Sequence, residues 1–560
     1  MRRIVRRPVV AGATLLAVLI PGSLVAAGCG SGGNTSSTAA CTTKTATAKA
    51  GTATGPAGAG TRPAAGWTEP GADQQNTRDV ASAITSANVS TLGVAWTVPL
   101  DISTSHTDGA YATTPVVVNG VVYVQDLQSD VMAISLATGK VLWTHDYNSP
   151  NGGPDGVTVA GGTVYAATNH AAFALSAATG AQLWIRTLTA NDHEGIDMTP
   201  GYDHGTVYVS TVPVNPTVGE YLGGGQATLW ALDAATGTPR WSWDEVQDLW
   251  GKPSVNSGGG LWYAPSFDAQ GNIYIGVSNP GPIGGAPGYP WGTSRPGPDL
   301  YTDSVVKLSP AGKLLWYYQL TPHDLFDWDL QDPPVLTTAG GQPVVIDGGK
   351  AGILVELSAR TGTLLWKLPV GAHNGNDQDG LLTEYASPGS HLRLPATVCI
   401  EPGVFGGIET QLASNGSTTF AAVNDLAETV SSGAAGAAPG STAAAIEAII
   451  HATGEMVAVS QDTGKVEWDT PLPSTPYGAA TATNDVVFTT TFHGDLYALN
   501  AATGAVLLKT PLSAGTNAPV TVDGDYVIAG AGAPLASGQE PMIIAYKLGA
   551  HGRLPDTVSG

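Results

Sequence analysis

The residues of this chain that could do chemistry are concentrated in one decapeptide, "TPHDLFDWDL", at positions 321–330. Only 12% of all residues are charged, yet this stretch contains His323, Asp324, Asp327 and Asp329. Imidazole and carboxylate groups could bind a metal ion, form an acid–base pair, or hold a loop together through hydrogen bonds to backbone groups. The choice among these three depends on the elements that position the side chains.

Composition narrows the class of partner. The 560 residues include 45 acidic and 23 basic side chains, which gives a formal net charge of −22. Nucleic acids and anionic membrane surfaces are bound through clustered Lys and Arg, so neither is expected as the main partner. The 73 glycines and 39 prolines are typical of an all-β protein with many tight turns. Small molecules and proteins remain as partners.

The N-terminal segment has the pattern of a bacterial export signal. Arginines precede the apolar run "VVAGATLLAVLI" and small residues follow it, so residues 1–28 are predicted to be a lipoprotein-type signal peptide. Cys29 is the predicted lipidation site, and the lipid alone would hold the protein at the extracytoplasmic face of a membrane. Ordinary cleavage without lipidation is the alternative. Residues 29–65 are rich in Ala, Thr and Gly and are predicted to be a disordered tether.

The three cysteines, Cys29, Cys41 and Cys399, limit the possible cofactor sites. No C-x-x-C or C-x-x-C-H motif occurs, so neither a zinc ribbon nor covalently attached haem is expected. If Cys29 is lipidated, Cys41 and Cys399 could form a disulfide bond in an oxidising compartment.

A repeated phrase indicates the fold. In each copy a strand leads into a turn that contains Gly, and a second strand then ends in Trp or Leu. The copies end at Trp143, Trp184, Trp241, Trp316, Trp366, Trp468 and Leu508, with a degenerate copy at Trp96. Glycine supplies the positive φ that a tight hairpin needs, and the Trp is predicted to pack on the neighbouring unit.

The spacing of these copies predicts an eight-bladed β-propeller. Most intervals lie near the roughly 40 to 50 residues of a four-stranded antiparallel blade. The last strand, 542–548, has no motif after it, so the Trp96 strand is predicted to complete the final blade and close the ring. The predicted all-β domain is residues 66–560, and a solenoid of β-rich repeats is the alternative.

The repeats resemble those of the quinoprotein alcohol dehydrogenases, which bind pyrroloquinoline quinone (PQQ). The resemblance extends from Trp67 to about residue 549 and includes segments 258–282, 295–336 and 476–504. It implies a PQQ cofactor, a Ca²⁺ ion that acts as Lewis acid, and oxidation of an alcohol or sugar hydroxyl by hydride transfer. Because the chain has no haem motif, the resemblance implies an external electron acceptor.

The resemblance places four candidate residues. Trp262 in "GGGLW" matches the Trp on which the family's cofactor stacks, and a core Trp between blades is the alternative. Asn279 and Glu220 match Ca²⁺ ligands, Glu220 only after a short insertion, with a turn residue and a solvated loop acid as the alternatives. Lys350 matches a cation beside the quinone oxygen, against the alternative of an exposed turn lysine.

The catalytic carboxylate departs from the family's pattern. Family members typically read R-P-G-D-N-L, and this chain reads "RPGPDL" at 295–300, so Pro298 stands where the catalytic carboxylate is expected. Asp299 is the candidate base and a further candidate metal ligand, although a shift of one residue on an extended segment turns a side chain to the opposite side. The adjacent Cys-Cys pair of many members is also missing, which predicts reduced PQQ affinity.

The decapeptide 321–330 matches a family segment between two blades. We interpret it as a staple near the site: its carboxylates and imidazole would satisfy buried backbone groups, and Phe326 and Trp328 would pack between blades. A metal site at Asp327 and Asp329 is the less favoured interpretation.

Two functions therefore remain open. The first is an exported, membrane-tethered PQQ-dependent dehydrogenase. The second is a non-catalytic propeller that acts as an envelope binding or assembly scaffold, which the loss of the usual Asp and of the Cys-Cys pair favours.

Overall fold

The computed structural model describes residues 67, 69–100, 109–213, 223–375, 397–431 and 443–555. Short strands with buried apolar side chains alternate with Gly-containing turns, and they form eight four-stranded antiparallel sheets. These sheets are the eight blades of a β-propeller, as the repeats predict, and the alternative of a solenoid is wrong.

The blades are numbered in chain order, and each has four main strands. Blade 1 comprises Val116–Val118, Val121–Gln125, Val131–Ser135 and Val141–His145; blade 2 comprises Thr158–Ala160, Thr163–Ala167, Ala171–Ser176 and Gln182–Thr187. Blade 3 comprises Gly201–Asp203, Thr206–Ser210, Thr228–Asp233 and Pro239–Asp244; blade 4 comprises Ser266–Phe267, Ile273–Val277, Ser304–Leu308 and Leu314–Gln319. Blade 5 comprises Val335–Ala339, Gln342–Gly349, Ile353–Ser358 and Leu364–Pro369; blade 6 comprises Ala413–Ser414, Thr418–Asp425, Thr453–Ser460 and Lys465–Leu472. Blade 7 comprises Thr481–Thr483, Val486–Thr490, Asp495–Asn500 and Val506–Pro511; blade 8 comprises Thr521–Asp523, Tyr526–Ala531, Met542–Leu548 and Leu92–Pro99.

Blade 8 joins strands that are far apart in the sequence. Its outer strand, Leu92–Pro99, pairs antiparallel with Met542–Leu548, and Trp96 lies opposite Ala545. The predicted closure of the ring is therefore confirmed. First strands of neighbouring blades contact one another, which places them innermost, around the axis of the ring.

The repeated tryptophans join seven of the eight blades to the next one. The indole nitrogen donates a hydrogen bond to a carbonyl oxygen of the following repeat at Trp96, Trp143, Trp184, Trp241, Trp316, Trp366 and Trp468. The glycine of the neighbouring turn lies against the ring: at Gly180, whose φ is 70°, a Cβ atom would come within 2.6 Å of the Trp143 ring. Both predicted roles, that of the glycine and that of the Trp, are confirmed here.

Residues 69–80 cross one end of the ring of first strands. The carbonyl oxygens of Gln74, Gln75, Thr77 and Arg78 accept hydrogen bonds from the first strands of blades 4, 5, 6 and 7, in that order. Arg78 is fully buried, and its guanidinium donates to carbonyl oxygens at the start of blades 7 and 8. Because successive strands of a blade run in opposite directions, the loops that enter the first strands and those that follow the second strands meet at one end of the ring.

The remaining elements are short. Two-stranded pairs are formed by Glu194–Gly195 with Val212–Pro213, Ser257–Gly258 with Pro280–Gly281, Gly285–Ala286 with Tyr289–Pro290, and Thr397–Ile400 with Glu428–Ser431, and Asp79–Val80 adds to blade 7. In the described ranges, the helices are one α-helix, Ala443–His451, and two 3-10 helices, Val89–Thr91 and Asp248–Gly251. Across the described ranges, none of the helices is both long and apolar enough to span a membrane.

Candidate functional site

Trp262 lies in the loop that connects blade 3 to blade 4, and its side chain is half-buried. Two glycines before it have positive φ, 79° at Gly259 and 132° at Gly260, and hydrogen bonds hold both. The Gly259 N–H donates to the carbonyl oxygen of Asn279 (3.1 Å), and the Gly260 N–H donates to Glu245 Oε2 (2.5 Å). Burial raises the pKa of Glu245 to about 8. These bonds place the Trp262 loop beside Asn279.

Lys350 follows the second strand of blade 5, and its side chain is buried. Its ammonium nitrogen lies 4.6 Å from the centre of the Trp262 ring, a favourable position for a cation over an indole face. The same nitrogen is 2.9 Å from Asp327 Oδ2 and 2.6 Å from Asp329 Oδ2. The alternative of an exposed turn lysine is therefore wrong, and the two predicted cofactor-binding residues are in direct contact.

Asn279 is hydrogen-bonded to the cluster formed by Lys350, Asp327 and Asp329. Its backbone N–H donates to Asp329 Oδ1 (2.6 Å), so Asp329 bridges Asn279 and Lys350. The side chain is buried, and its Oδ1 atom has no hydrogen-bond partner among the described residues. A buried amide oxygen without a donor fits a ligand of a hard cation such as Ca²⁺. In the described part of the chain, no three His, Cys, Asp or Glu side chains form a metal-binding group by themselves.

Asp299 belongs to a separate group. It is fully buried; its Oδ2 atom forms an ion pair with the Arg295 guanidinium and lies 3.0 Å from His323 Nδ1. None of its described contacts joins it to Trp262 or Lys350. One oxygen of its carboxylate is thus already in contact with a guanidinium and an imidazole. Its predicted roles as base and as metal ligand remain predictions.

The decapeptide 321–330 divides into two parts. Asp324 is a staple, as interpreted from the sequence, because its two carboxylate oxygens accept the N–H groups of Phe326 (2.8 Å) and Trp328 (2.9 Å). The rings of Phe326 and Trp328 are buried and pack edge to face, 5.0 Å apart.

Asp327 and Asp329 were missed by the sequence analysis as members of the site. They do not form a metal site of their own in the described contacts; each carboxylate instead ion-pairs with Lys350. The signal that could have found them was the spacing of two acids around one aromatic residue, combined with a lysine matched to the cofactor site.

Burial dominates the electrostatics of this region. It raises the pKa of Asp329, an effect that the nearby charge of Lys350 opposes. It raises the pKa of Glu409 to about 8, again against the charge of Lys350. The pKa of Asp303 is raised well above its usual value, first by burial and then by the charges of Asp324 and Asp329. The site therefore holds more carboxylates than its cations neutralise.

Two predicted residues, Glu220 and Cys29, lie outside the described residues, as do the predicted signal peptide and nearly all of the tether. Gly224, shortly after Glu220, donates its N–H to the carbonyl oxygen of Asn256 (3.0 Å), next to the Ser257–Gly258 strand that pairs with Pro280–Gly281. Cys399 is disulfide-bonded, and its partner also lies outside the described residues.

Two family models match this chain. The model of the glucose/ethanol/alcohol dehydrogenase β-propeller domain, of PQQ type, matches residues 67–167 and 217–388. The model of the outer membrane protein assembly factor BamB matches residues 127–266 and 452–540. The quinohemoprotein alcohol dehydrogenase of Comamonas testosteroni is 30% identical over 354 residues, which cover 55% of this chain and 48% of that protein.

The chain is similar to the PQQ-dependent alcohol dehydrogenase-like family. The quinohemoprotein alcohol dehydrogenase ADH IIB of Pseudomonas putida is 26% identical to this propeller over 519 residues, which cover 79% of this chain and 69% of that protein. The propeller spans about half the length of the first curated relatives it matches.

Solved structures agree in fold. The quinohemoprotein alcohol dehydrogenase ADHIIG of Pseudomonas putida superposes with a TM-score of 0.73 at 21% identity, covering 88% of this propeller and 81% of that chain. The Comamonas testosteroni enzyme gives a TM-score of 0.71 at 24% identity, covering 88% and 82%. At these identities the likeness shows the propeller fold alone.

Proposed function

We propose that this chain binds PQQ on the Trp262 ring and oxidises a hydroxyl group of an alcohol or a sugar. The observation that carries the proposal is the contact of Lys350 with Trp262, because Asp329 links the same lysine to Asn279. Three residues that the sequence matched to the cofactor site thus lie together, in loops of blades 4 and 5. The matched family segment 217–388 includes all three, which supports the proposal.

The residues present fit the cofactor and its cation. When bound, PQQ supplies a quinone carbonyl that accepts hydride, and Ca²⁺ polarises it. Trp262 offers a flat apolar surface, Lys350 a positive charge, and Asn279 an amide oxygen that no described donor occupies. Glu220 is the proposed second ligand of the cation. Asp327 and Asp329, which pair with the Lys350 ammonium, would keep its positive charge beside a ring stacked on Trp262.

The group that takes the hydroxyl proton has two candidates. Asp299 is the candidate from the sequence, but its Oδ2 atom is already paired with Arg295 and His323. Asp327 is the candidate that the geometry favours, because its Oδ2 atom pairs with the Lys350 ammonium that contacts Trp262. The Oδ1 atoms of both acids lack a described hydrogen-bond partner, so position alone distinguishes them. Replacing each by Asn separates the two roles, since Asn keeps the shape and removes the proton-accepting charge.

The proposed setting is extracytoplasmic. The predicted signal peptide and lipidation at Cys29 would place the propeller at the outer face of a bacterial membrane, with the lipid as its only membrane contact. The sequence has no C-x-x-C-H motif for covalent haem, so we propose that electrons leave to a separate acceptor.

A non-catalytic propeller is the second candidate function. Pro298 at the expected position of the catalytic carboxylate, together with the ion-paired state of Asp299, favours it. Such a protein would keep the Trp repeats for stability and use its rim to bind a partner.

A titration of the purified protein with PQQ separates the two functions. Trp fluorescence is followed with Ca²⁺ and with chelator, and dye reduction is then measured with a panel of alcohols and sugars. Saturable Ca²⁺-dependent binding with turnover supports the dehydrogenase. Binding without turnover would indicate a protein that keeps its cofactor but has lost its base, and absence of binding would favour the scaffold. The double variant Glu220→Ala, Asn279→Ala should abolish Ca²⁺-dependent binding, and unchanged binding would contradict the proposed ligands.

A further inference from the structure

Asp303 is a buried carboxylate that the chemistry above does not use. It lies at the start of the third strand of blade 4, with a φ of 51°, and its side chain is fully buried. Neither of its carboxylate oxygens accepts a hydrogen bond from any described residue. The nearest hydroxyl, that of Thr302, donates instead to the carbonyl oxygen of Asp299 (2.6 Å).

Three other buried carboxylates of the same region have partners. Asp299 is paired with a guanidinium and an imidazole, Asp324 accepts two backbone N–H groups, and Asp329 is paired with Lys350. A buried carboxylate without a counter-charge or a donor is costly, so such a group either stays protonated or binds a cation. For Asp303, the described residues supply neither a counter-charge nor a hydrogen-bond donor.

The position of Asp303 distinguishes it from other such acids. Asp155 and Asp332 are equally buried and also lack hydrogen-bond partners on both oxygens within the described ranges. Asp155 lies in the loop that enters blade 2. Asp332 follows Asp329 in the loop that enters blade 5, but none of the described hydrogen bonds joins Asp332 to the segment that carries Asn279. The Asp303 N–H donates to the carbonyl oxygen of Val277 (2.9 Å), two residues before Asn279. The orphan carboxylate and the orphan amide oxygen of Asn279 are therefore carried by backbone segments that are bonded to each other.

We infer that Asp303 supplies a carboxylate ligand to the cation that Asn279 binds. The inference rests on the proposed function, because it takes the cation site at Asn279 from there. A divalent cation prefers oxygen ligands and needs negative charge to offset its own, and the Asn279 amide supplies none. Asp299, the acid that the family's pattern suggested, is ion-paired with Arg295 and contacts His323, so Asp303 takes its place at the metal.

The test is the affinity of the full-length protein for Ca²⁺, measured for wild type and for Asp303→Asn by calorimetric titration, with and without PQQ. Asn has the shape of a protonated Asp and also tolerates a positive φ, so the variant should fold. It should bind Ca²⁺ at least ~10-fold more weakly, and the rise in melting temperature that Ca²⁺ gives the wild type should shrink accordingly. Asp155→Asn is the matched control, since it removes an equally buried acid without hydrogen-bond partners, and its Ca²⁺ affinity should equal that of the wild type.

The outcomes are distinguishable. If wild type binds Ca²⁺ and Asp303→Asn binds it equally well, the inference is overturned: Asp303 is then a protonated structural acid, and the proposed function stands. If Asp155→Asn weakens binding as much as Asp303→Asn does, the effect is general electrostatics and the inference also fails. If wild type binds no Ca²⁺ with or without PQQ, the proposed cation site fails, and the inference fails with it.

Discussion

Removing the Lys350 ammonium should destabilise the propeller in a way that depends on pH. Lys350→Met keeps much of the side-chain length but leaves Asp327 and Asp329 buried without their common counter-charge. Breaking a buried ion pair by removing one partner costs roughly 3–5 kcal/mol. The unfolding entropy of a domain of about 450 residues, at ~2.1 cal/mol/K per residue, is near 1 kcal/mol/K, so the melting temperature should fall by about 3–5 °C.

The pH dependence follows from the Asp329 carboxyl. Its pKa is raised by burial and lowered by Lys350, so removing the lysine raises that pKa further. An acid whose pKa is higher in the folded state than in the unfolded state contributes stability at low pH, and this contribution is lost as the pH rises toward the folded pKa. Because the unfolded chains titrate alike, the difference in melting temperature between variant and wild type should grow as the pH rises through about 7, the pKa of Asp329 in the wild type, and should be smaller at lower pH.

Scanning calorimetry of three proteins tests this reasoning. Lys509 is the matched control, because it ion-pairs with Asp495 (3.1 Å) and lies 5.2 Å from the Tyr497 ring centre, but its side chain is 47% exposed. Lys509→Met should lower the free energy of unfolding by at most about 1 kcal/mol, because exposed ion pairs contribute no more than that. If Lys350→Met lowers the melting temperature at pH 7 by no more than Lys509→Met does, the buried charge cluster does not have the energy assigned to it.

Two further predictions concern the ring and the base. Gly180→Ala should lower the free energy of unfolding by at least about 3 kcal/mol, because it adds the clash with the Trp143 ring to the strain of a positive φ. Gly205 has a φ of 77° and open space around it, so Gly205→Ala should lower the free energy of unfolding by only about 1 kcal/mol. Equal losses in calorimetry would show that the ring contact is unimportant. If Asp327 is the base, Asp327→Asn should lower the kcat of the PQQ-loaded protein, measured by dye reduction, by about 100-fold or more. Asp299→Asn should then leave kcat nearly unchanged. The reverse result would restore Asp299 as the base.

The fold could be predicted from the sequence because its signals are local and repeated. A turn glycine such as Gly180 and a Trp such as Trp143 recur at blade spacing, and each copy needs only its neighbour to explain it. The pairing of the Trp96 strand with Met542–Leu548 could also be predicted, because an incomplete blade at each end of the repeat array can be completed only by the other.

The candidate site could be predicted only in part. Trp262, Lys350 and Asn279 were found through residues matched to a family, and the structure brings them together. The roles of Asp327 and Asp329 were not found, because a carboxylate that caps a loop and one that pairs with a lysine look alike in a sequence. Asp327 has a φ of 63°, a conformation that no alternation rule for extended segments anticipates.

The sequence by itself determined that this chain closes into eight blades and that a PQQ-type site is the one to look for, since repeats and motifs are written in consecutive residues. Only the tertiary structure decided which carboxylates pair with a cationic side chain and which have no described partner. Asp299 meets His323 and Lys350 meets Trp262 across 24 and 88 residues of chain. Such pairings are set by how the loops of separate blades converge at one end of the ring, and burial there fixes the energy of each charge.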